Sequence, residues 1–355
     1  MPAKVINIVD EAALATAKLA GLKYVEAGSS KGFHRQRNGL KFYYTDDNGK
    51  RVRDKEVLDR IASLVLPPAW ENVWISAFTN SHLQATGYDV RGRKQYRYHP
   101  KWNKIRSEHK FDKLYEFGTR LPTLRKQISH DLKLRSLSKN KVCALALNIM
   151  METSIRVGNA AYEKSNGSYG LTTLNTRHVK FTGGSIFFKF KGKKGVLQEI
   201  ALKRPQLARM LNKIHDLPGQ KLFQYYDDDK NLQQLTSDDL NEYIREHVNE
   251  QMSCKVVRTW SGCVHFLTSL AVTEQFESQA ECKRNIVSAI DGVASKLGNT
   301  RTVCKNYYIH PELMNHYEQN KLCSLLQSIK KTNDEEQQIA KTEKLLLKFL
   351  KSLAA

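Results

Sequence analysis

The chain has few acids for its size and lacks the motifs of several common chemistries. Only 36 Asp and Glu stand against 57 Lys and Arg, for a formal net charge of +21 over 355 residues. No acidic cluster with metal-ligand character is visible, which argues against a metal-dependent nuclease. The six cysteines (Cys143, Cys254, Cys263, Cys282, Cys304 and Cys323) include no CxxC pair. A zinc site is therefore not expected, and a reducing intracellular compartment is the simpler reading. No GxxxxGK[ST] loop is present, so nothing asks for ATP. No apolar run approaches the roughly 18 residues of a membrane span. Neither a signal-peptide pattern nor a lipidation motif is evident, so a cytoplasmic location is expected. Internal repeats and low-complexity segments are also missing.

What is present points to a polyanion. Each phosphate neutralised by Lys or Arg releases counterions, so a charge of +21 suits a nucleic-acid partner. A membrane surface would attract the same charge, but nothing anchors the chain there. At 355 residues and 41% hydrophobic content, two packed domains are expected.

The first part reads as small, mixed and strand-rich. Residues 11–20 form a short helix. Gly39 to Val52 reads as a β-hairpin turning at Asn48-Gly49. Val57, Ile61 and Leu64 give an amphipathic helix that ends before Pro67-Pro68. Asn72 to Ile75 reads as a strand. From Asp89 to Lys110 there are eight Lys/Arg and two acids, with Tyr96, Tyr98 and Trp102 interleaved. Such a run is more commonly a solvated face. Yet its basic residues suit phosphates, while Gln, Arg and Tyr reach base edges in a groove.

A domain boundary is placed near residue 110. Phe111 to Leu132 is charged and helical. Lys141 to Ile155 is a buried helix through Val142, Leu145, Ile149 and Met150 or Met151, with Arg156 at its end, where an arginine can cap carbonyls. Residues 178–181, 185–190 and 196–200 form three short strands, with turns at Gly183-Gly184 and Gly192–Gly195. Lys193 thus sits at a hairpin tip, among Lys189, Lys191 and Lys194. Leu207 to Leu217 is helical. Thr236 or Ser237 begins a helix with Asp239 completing a capping box. Val256 to Trp260 opens another that runs through His265 and Leu270, with Arg258 near its start. After Pro311 the chain is helical and polar. Ile339, Leu346, Leu350 and Leu353 give the last helix an apolar face that either packs on the core or extends along a ligand.

The most informative stretch runs from Ser288 to Pro311. Ile286, Val287, Ile290, Val293, Ala294 and Leu297 recur at helical spacing. Gly298 stands where a helix C-terminus favours a left-handed residue, Thr300 caps a second short helix, and Pro311 closes it. This corner carries Asn299 and, nine residues on, Tyr308. Taken alone, a tyrosine there is more commonly core.

Four elements in order change that balance: Arg156 in Ile155-Arg-Val-Gly-Asn159, Lys193 in Gly192-Lys-Lys-Gly195, Arg258 in Val257-Arg-Thr-Trp260, and Gly298-Asn-Thr300 followed by Tyr308-Ile-His-Pro311. Together they resemble the active site of type IB DNA topoisomerases in the compact form of bacteria and poxviruses. The likeness runs from about residue 24 to 311. It implies that Tyr308 attacks a DNA phosphodiester to give a 3′-phosphotyrosyl bond. Arg156, Arg258 and Asn299 would hold the phosphate, and Lys193, the lysine at the family's Gly-Lys position, would act as general acid. Tyr307 is the nearest rival nucleophile; the spacing from Asn299 and the following Ile-His-Pro favour Tyr308. Gly92-Arg-Lys-Gln-Tyr-Arg-Tyr98 is similar to the strand that family members lay in the major groove. By that likeness Arg93, Gln95, Tyr96 and Tyr98 would touch DNA, and Tyr162 would contact backbone phosphate near the cut. Poxvirus members carry His where Asn299 stands. An amide still donates a hydrogen bond but carries no charge. His265 and His310 fall at no family position and read as structural.

The expected fold is α+β. It has a small strand-rich N-terminal DNA-binding domain (1–110) and a larger, mostly α-helical catalytic domain (111–355). The second domain holds a three-stranded antiparallel sheet and a C-terminal helical tail. The resemblance implies relaxation of supercoiled duplex DNA by a monomer clamping around it, with no cofactor, metal or ATP, in a bacterial nucleoid; a viral origin stays open. A tyrosine recombinase shares the chemistry but joins two duplexes and normally carries motif histidines. A non-catalytic DNA-binding protein would explain the charge but not the ordered site residues.

Overall fold

The computed structural model describes residues 11–39, 41–273, 276–331 and 334–354. The chain divides into two compact units, Met1–Lys110 and Phe111–Ala355.

The first unit holds α1 (Glu11–Leu19), β1 (Gly32–Asn38), β2 (Lys41–Asp46), α2 (Lys55–Ser63), β3 (Glu71–Ser76), β4 (Leu83–Tyr88) and β5 (Lys94–Tyr98). The strands form one antiparallel sheet in the order β2-β1-β3-β4-β5. Alternation along β3 explains its two faces. Val73 and Ile75 join Ile61 of α2 and Ala85 in one apolar cluster, while Trp74 joins Val25 and Leu83 in another. Asp54 caps α2 by accepting the backbone N–H groups of Glu56 and Val57.

One reading of this region needs extending. The hairpin expected over 39–52 is present with a short second arm, and the longer partner of β2 is β1. β2 pairs along its length with β1, and beyond the Asn48-Gly49 turn a short arm returns: Asp46 N–H donates to Lys50 O, Arg51 bridges Thr45, and Val52 N–H donates to Tyr44 O. The returning arm is short because Asp54 is already committed to capping α2. β1 itself, Gly-Phe-His-Arg-Gln-Arg-Asn, is too polar to announce a strand.

α3 (Pro100–Asp131) begins eleven residues before the Phe111 expected from sequence, with Pro100 as its first residue. The second unit continues with α4 (Lys139–Thr153), α5 (Ala160–Asn166), β6 (Val179–Thr182), β7 (Ser185–Lys191), β8 (Leu197–Lys203), α6 (Pro205–His215), β9 (Gln224–Tyr226) and β10 (Leu232–Gln234). Then come α7 (Ser237–His247), α8 (Cys254–Ala271), α9 (Gln279–Leu297), α10 (Arg301–Tyr307), α11 (Pro311–Glu318), α12 (Cys323–Lys330) and α13 (Glu335–Ala354). β6, β7 and β8 form a three-stranded antiparallel sheet beside the helices, and β9 pairs with β10. The fold is α+β: a small strand-rich region, then a mostly helical one.

The core of the second unit is built on α4, α8 and α9. Val142 through Leu147, Ile149 and Met150 of α4 are all buried, as are Cys263, Phe266 and Leu267 of α8. α13 lies against α8 and α12, with Leu346, Phe349 and Leu350 buried and Leu353 at the exposed end. The carboxylate of Glu343 fastens it, accepting from both Arg125 Nη atoms at 2.6 and 2.9 Å and from Trp260 Nε1 at 3.1 Å. The tail helix therefore packs on the core.

One buried polar pair ties α3 to α7. Tyr243, 2% exposed, donates its hydroxyl to Asp131, also 2% exposed, at 2.6 Å. Gln127 and His130 supply further partners to the same carboxylate. Burial opposes ionisation of Asp131, but these bonds outweigh it and hold its pKa below the ordinary carboxylate value. A depressed pKa adds stability at pH above the unfolded value, lost as pH falls through the folded one. Tyr243→Phe is expected to cost about 1.5–3 kcal/mol at neutral pH, with a smaller cost at acid pH. Denaturant unfolding at both pH values checks it; an equal cost at both contradicts the account.

Candidate active site

α9 and α10 form the corner that presents the tyrosine. Ser278 and Glu281 box the start of α9, and Gly298 ends it at φ +57. That left-handed turn returns the Asn299 N–H to Ala294 O at 2.9 Å. Thr300 caps α10 through Val303 N–H, and Tyr308 is its C-terminal cap. Pro311 does not close this helix. It opens α11, where its missing N–H costs nothing, and His310 caps that helix. Val287, placed on the apolar stripe by its spacing, is 38% exposed. The stripe that packs is Ile286, Ala289, Ile290, Val293, Ala294 and Leu297. Tyr307 is 49% exposed, whereas Tyr308 is partly buried against the core.

Arg258 projects from the second turn of α8 and is 4% exposed. One of its Nη atoms donates to Ser154 O and the other to Leu297 O at 2.9 Å. Ser154 ends α4 in the left-handed conformation, so its carbonyl leaves the helix path. The guanidinium thus joins the carbonyl ends of α4 and α9, where helix dipoles favour a cation. Its carbon lies 5.2 Å from the Tyr308 ring centroid. Arg156 follows α4 and does not cap it. Its Nη2 donates to Gly298 O at 2.9 Å and Asn299 Oδ1 at 2.5 Å. Its own carbonyl accepts Leu171 N–H at 2.7 Å, which fixes the connection between α4 and α5 that bears it.

Arg156, Arg258, Asn299 and Tyr308 are therefore brought together. Two polar atoms there, Arg258 Nε and Asn299 Nδ2, are buried without a partner among the described residues. Leaving a buried donor unpaired costs about 1–3 kcal/mol. Asn299 cannot turn its amide to escape, because Arg156 needs Oδ1. Unpaired N–H groups beside two cations are what an anionic group would fill.

Close packing holds the tyrosine. A Cβ on Gly262 would stand 2.5 Å from Tyr308 O and 3.0 Å from Tyr308 Cβ, so only glycine lets α8 lie this near. The next residue, Cys263, accepts His310 N–H on its sulfur at 3.3 Å.

Lys193 is exposed, in a single 3-10 turn (Lys193–Gly195) at the tip between β7 and β8. Its neighbour Gly192 lines a small cavity with Arg156, Gln198 and Arg258. Among its rivals, Lys189 is paired with Glu199 at 2.5 Å. Tyr162, on α5, is 56% exposed.

The groove-reading candidates lie in the first unit and do not share one face of β5. Tyr96 and Tyr98 stack on one face with ring centroids 5.9 Å apart. Tyr96 is 49% exposed, while Tyr98 packs near Trp102 and His82. Gln95 belongs to the other face, and with Arg93 it binds Asp89.

The family description "Eukaryotic DNA topoisomerase I, catalytic core" matches residues 99–339. "Bacterial DNA topoisomerase IB, N-terminal domain" matches residues 41–89. The chain is 33% identical over 307 residues to the DNA topoisomerase 1B of Acanthamoeba polyphaga mimivirus, covering 84% of this chain and 91% of that one. This chain belongs to the type IB DNA topoisomerase family. The DNA topoisomerase 1B of vaccinia virus and the DNA topoisomerase I of monkeypox virus are more distant. Each is 26% identical over 247 residues, covering 68% of this chain and 73% of theirs. This type IB topoisomerase is an isomerase acting on DNA. No helix among its described residues is long and apolar enough to cross a membrane.

The electrostatics of the topoisomerase chain favour an ionised phenol at residue 308. Burial raises the Tyr308 pKa, but Arg258, by charge and hydrogen bonding, then Arg156 and Lys255, pull it net below the usual tyrosine value. Burial pushes His265 and His310 down to about 4, so both are neutral at pH 7. Sequence reasoning missed Lys255, Ser154 and Gly262. Lys255 lay within one turn of Arg258 and was findable; Ser154 acts through its carbonyl, which no side-chain pattern reveals.

Removing Arg258 takes away the largest of the charges that oppose burial at Tyr308. Arg258→Gln is expected to move the Tyr308 pKa up, shifting the phenolate step to higher pH. Near-ultraviolet difference titration against Tyr308→Phe in each background reads it. An unchanged or lower pKa in Arg258→Gln contradicts the assignment.

Proposed function

We propose that the enzyme relaxes supercoiled duplex DNA by cutting and resealing one strand through Tyr308, without metal or ATP. The observation that carries this reading is the pair of buried, unpartnered donors, Arg258 Nε and Asn299 Nδ2, beside a phenol whose pKa is depressed.

A phenol with a pKa near ~10 is a weak nucleophile at neutral pH. Guanidinium groups favour its ionised form and neutralise the non-bridging oxygens as the pentacoordinate transition state develops. The phenolic proton goes to solvent. Tyr308 Oη bonds to phosphorus, and the bond from phosphorus to the 5′-oxygen breaks. Lys193 gives its ammonium proton to that leaving oxygen. The products are a 3′-phosphotyrosyl bond and a free 5′-hydroxyl. The exchange replaces one phosphodiester by another, so the reverse step reseals the strand without a nucleotide. Between the two steps the downstream duplex rotates about the intact strand.

Arg258 donates to the phosphate through its unpartnered Nε–H while its Nη atoms stay on the Ser154 and Leu297 carbonyls, and Arg156 adds a second fixed charge beside it. Asn299 contributes one neutral N–H. In this reading residues 1–110 are a DNA-binding domain and residues 111–355 a catalytic domain with a C-terminal helical tail. Arg93, Gln95, Tyr96 and Tyr98 touch the major groove and Tyr162 a backbone phosphate. The enzyme closes on duplex DNA as a monomer. The match of its N-terminal region to bacterial enzymes favours a nucleoid location.

Supercoiled plasmid incubated with the enzyme in chelator and without nucleotide is expected to give relaxed circles. Linear or nicked product instead would indicate a nuclease. Asn299→Ala is expected to slow single-turnover cleavage about tenfold, and Arg156→Ala or Arg258→Ala about a hundredfold or more. A loss for Asn299→Ala equal to either arginine's overturns that ranking. A duplex with sulfur as the 5′-bridging atom needs no proton on departure, so it should restore cleavage to Lys193→Ala but not to Arg258→Ala. If Lys193→Ala stays slow on it, Lys193 is not the acid.

A further inference from the structure

Asp89 is one of only two acids in the basic run and lies outside the cation site, yet it holds two polar side chains at the start of β5, Arg93 and Gln95. It closes the turn between β4 and β5, where Asp89 N–H donates to Arg93 O at 3.0 Å. Its Oδ1 accepts the backbone N–H groups of Arg91 and Arg93, each at 3.0 Å. Its Oδ2 accepts Arg93 Nε at 2.8 Å, Arg93 Nη2 at 2.7 Å and Gln95 Nε2 at 3.0 Å. The main-chain bonds and the two to Oδ1 hold the turn. The bonds to Oδ2 do something else: they tie two long side chains, Arg93 and Gln95, to one point.

We infer that Asp89 is a positioning residue for sequence reading, which presets the Arg93 guanidinium and fixes which end of the Gln95 amide meets the bases. This rests on the reading of β5 as the groove strand. A carboxylate only accepts, so the amide nitrogen of Gln95 must turn toward Asp89, and the second Nε2 hydrogen is directed to Arg93 O at 3.4 Å. The Gln95 carbonyl oxygen has no partner among the described residues, so Gln95 presents an acceptor to DNA. In the major groove the base-edge donors are the amino groups of adenine N6 and cytosine N4. A glutamine free to rotate would instead pair with adenine through both N6 and N7. The arrangement therefore makes Gln95 a reader of exocyclic amino groups and lowers the rotamer freedom lost on binding. Bonding to Arg93 keeps the carboxyl pKa down at about 2, so the carboxylate is ionised throughout the range in which the enzyme meets DNA.

The test is cleavage of a duplex library randomised around the cut, with the covalently captured 3′ ends sequenced, for the full chain and for Asp89→Asn and Gln95→Ala. Asparagine keeps an oxygen for the two turn bonds but loses the acceptor for Arg93 and Gln95. At the base pair where Gln95→Ala relaxes selectivity, Asp89→Asn is expected to relax it about tenfold as well. The readout is a ratio between sequences, which a folding defect that slows all cleavage alike does not move. Deleting the exocyclic amino group of the base read there should mimic Gln95→Ala, while replacing N7 by carbon should not. If Gln95→Ala leaves selectivity unchanged, the groove-strand reading fails. If Gln95→Ala relaxes it and Asp89→Asn does not, the positioning role fails. Sensitivity to N7 replacement overturns the fixed amide.

Discussion

Two guanidinium groups are held against one phenol by the carbonyl ends of helices. Arg258 spans from Ser154 at the end of α4 to Leu297 at the end of α9, and Arg156 reaches Gly298 and Asn299 just beyond α9. Like charges this close repel, and burial disfavours them further; both effects lower the Arg156 pKa. The carbonyls and the negative ends of two helix dipoles offset part of that cost. The positions of α4, α8 and α9 therefore set the geometry of the site.

Those positions come from apolar packing. α4 buries nearly its whole surface, and α8 and α9 share a long contact through residues such as Phe266, Ile290 and Val293. Buried area of this kind tolerates a site whose donors are left unpaired, since each orphaned N–H costs only about 1–3 kcal/mol. It also makes the site rigid, which matters because electrostatic stabilisation works when the donors need not reorganise during reaction. Gly262 extends the same logic: a helix that touches the Tyr308 backbone leaves it little room to move.

Much of this was legible in the chain. The apolar pattern marks α4 and α9, and chemical punctuation marks several helix ends: Gly298 after α9, Thr300 before α10 and the Thr236–Asp239 box before α7 each stand where their residue type predicts. Resemblance supplied the site residues, and the fold brings four of the five together. Less was legible where the partner is backbone or where polarity hides periodicity. The partners of Arg258 are two main-chain carbonyls, which no motif encodes. β1 is hidden in the sequence because His, Arg and Gln fill both of its faces and leave no apolar alternation. Pro311 is a start and not a stop, and a proline after a helix and a proline at the first position of the next look alike in sequence. The split of the β5 readers between two faces follows from strand alternation and was available from spacing alone.

The central claim is that Tyr308, activated by fixed side-chain cations, forms the covalent bond to DNA. It is tested most directly with a duplex whose cut strand loses a short downstream fragment, so that resealing cannot occur. The reaction is run in chelator without nucleotide, digested with protease, and the DNA-linked peptide is sequenced by mass spectrometry. The account predicts a single adduct, on Tyr308, carrying the DNA 3′ end. An adduct on Tyr307, a 5′ linkage, or cleavage with no adduct would contradict it.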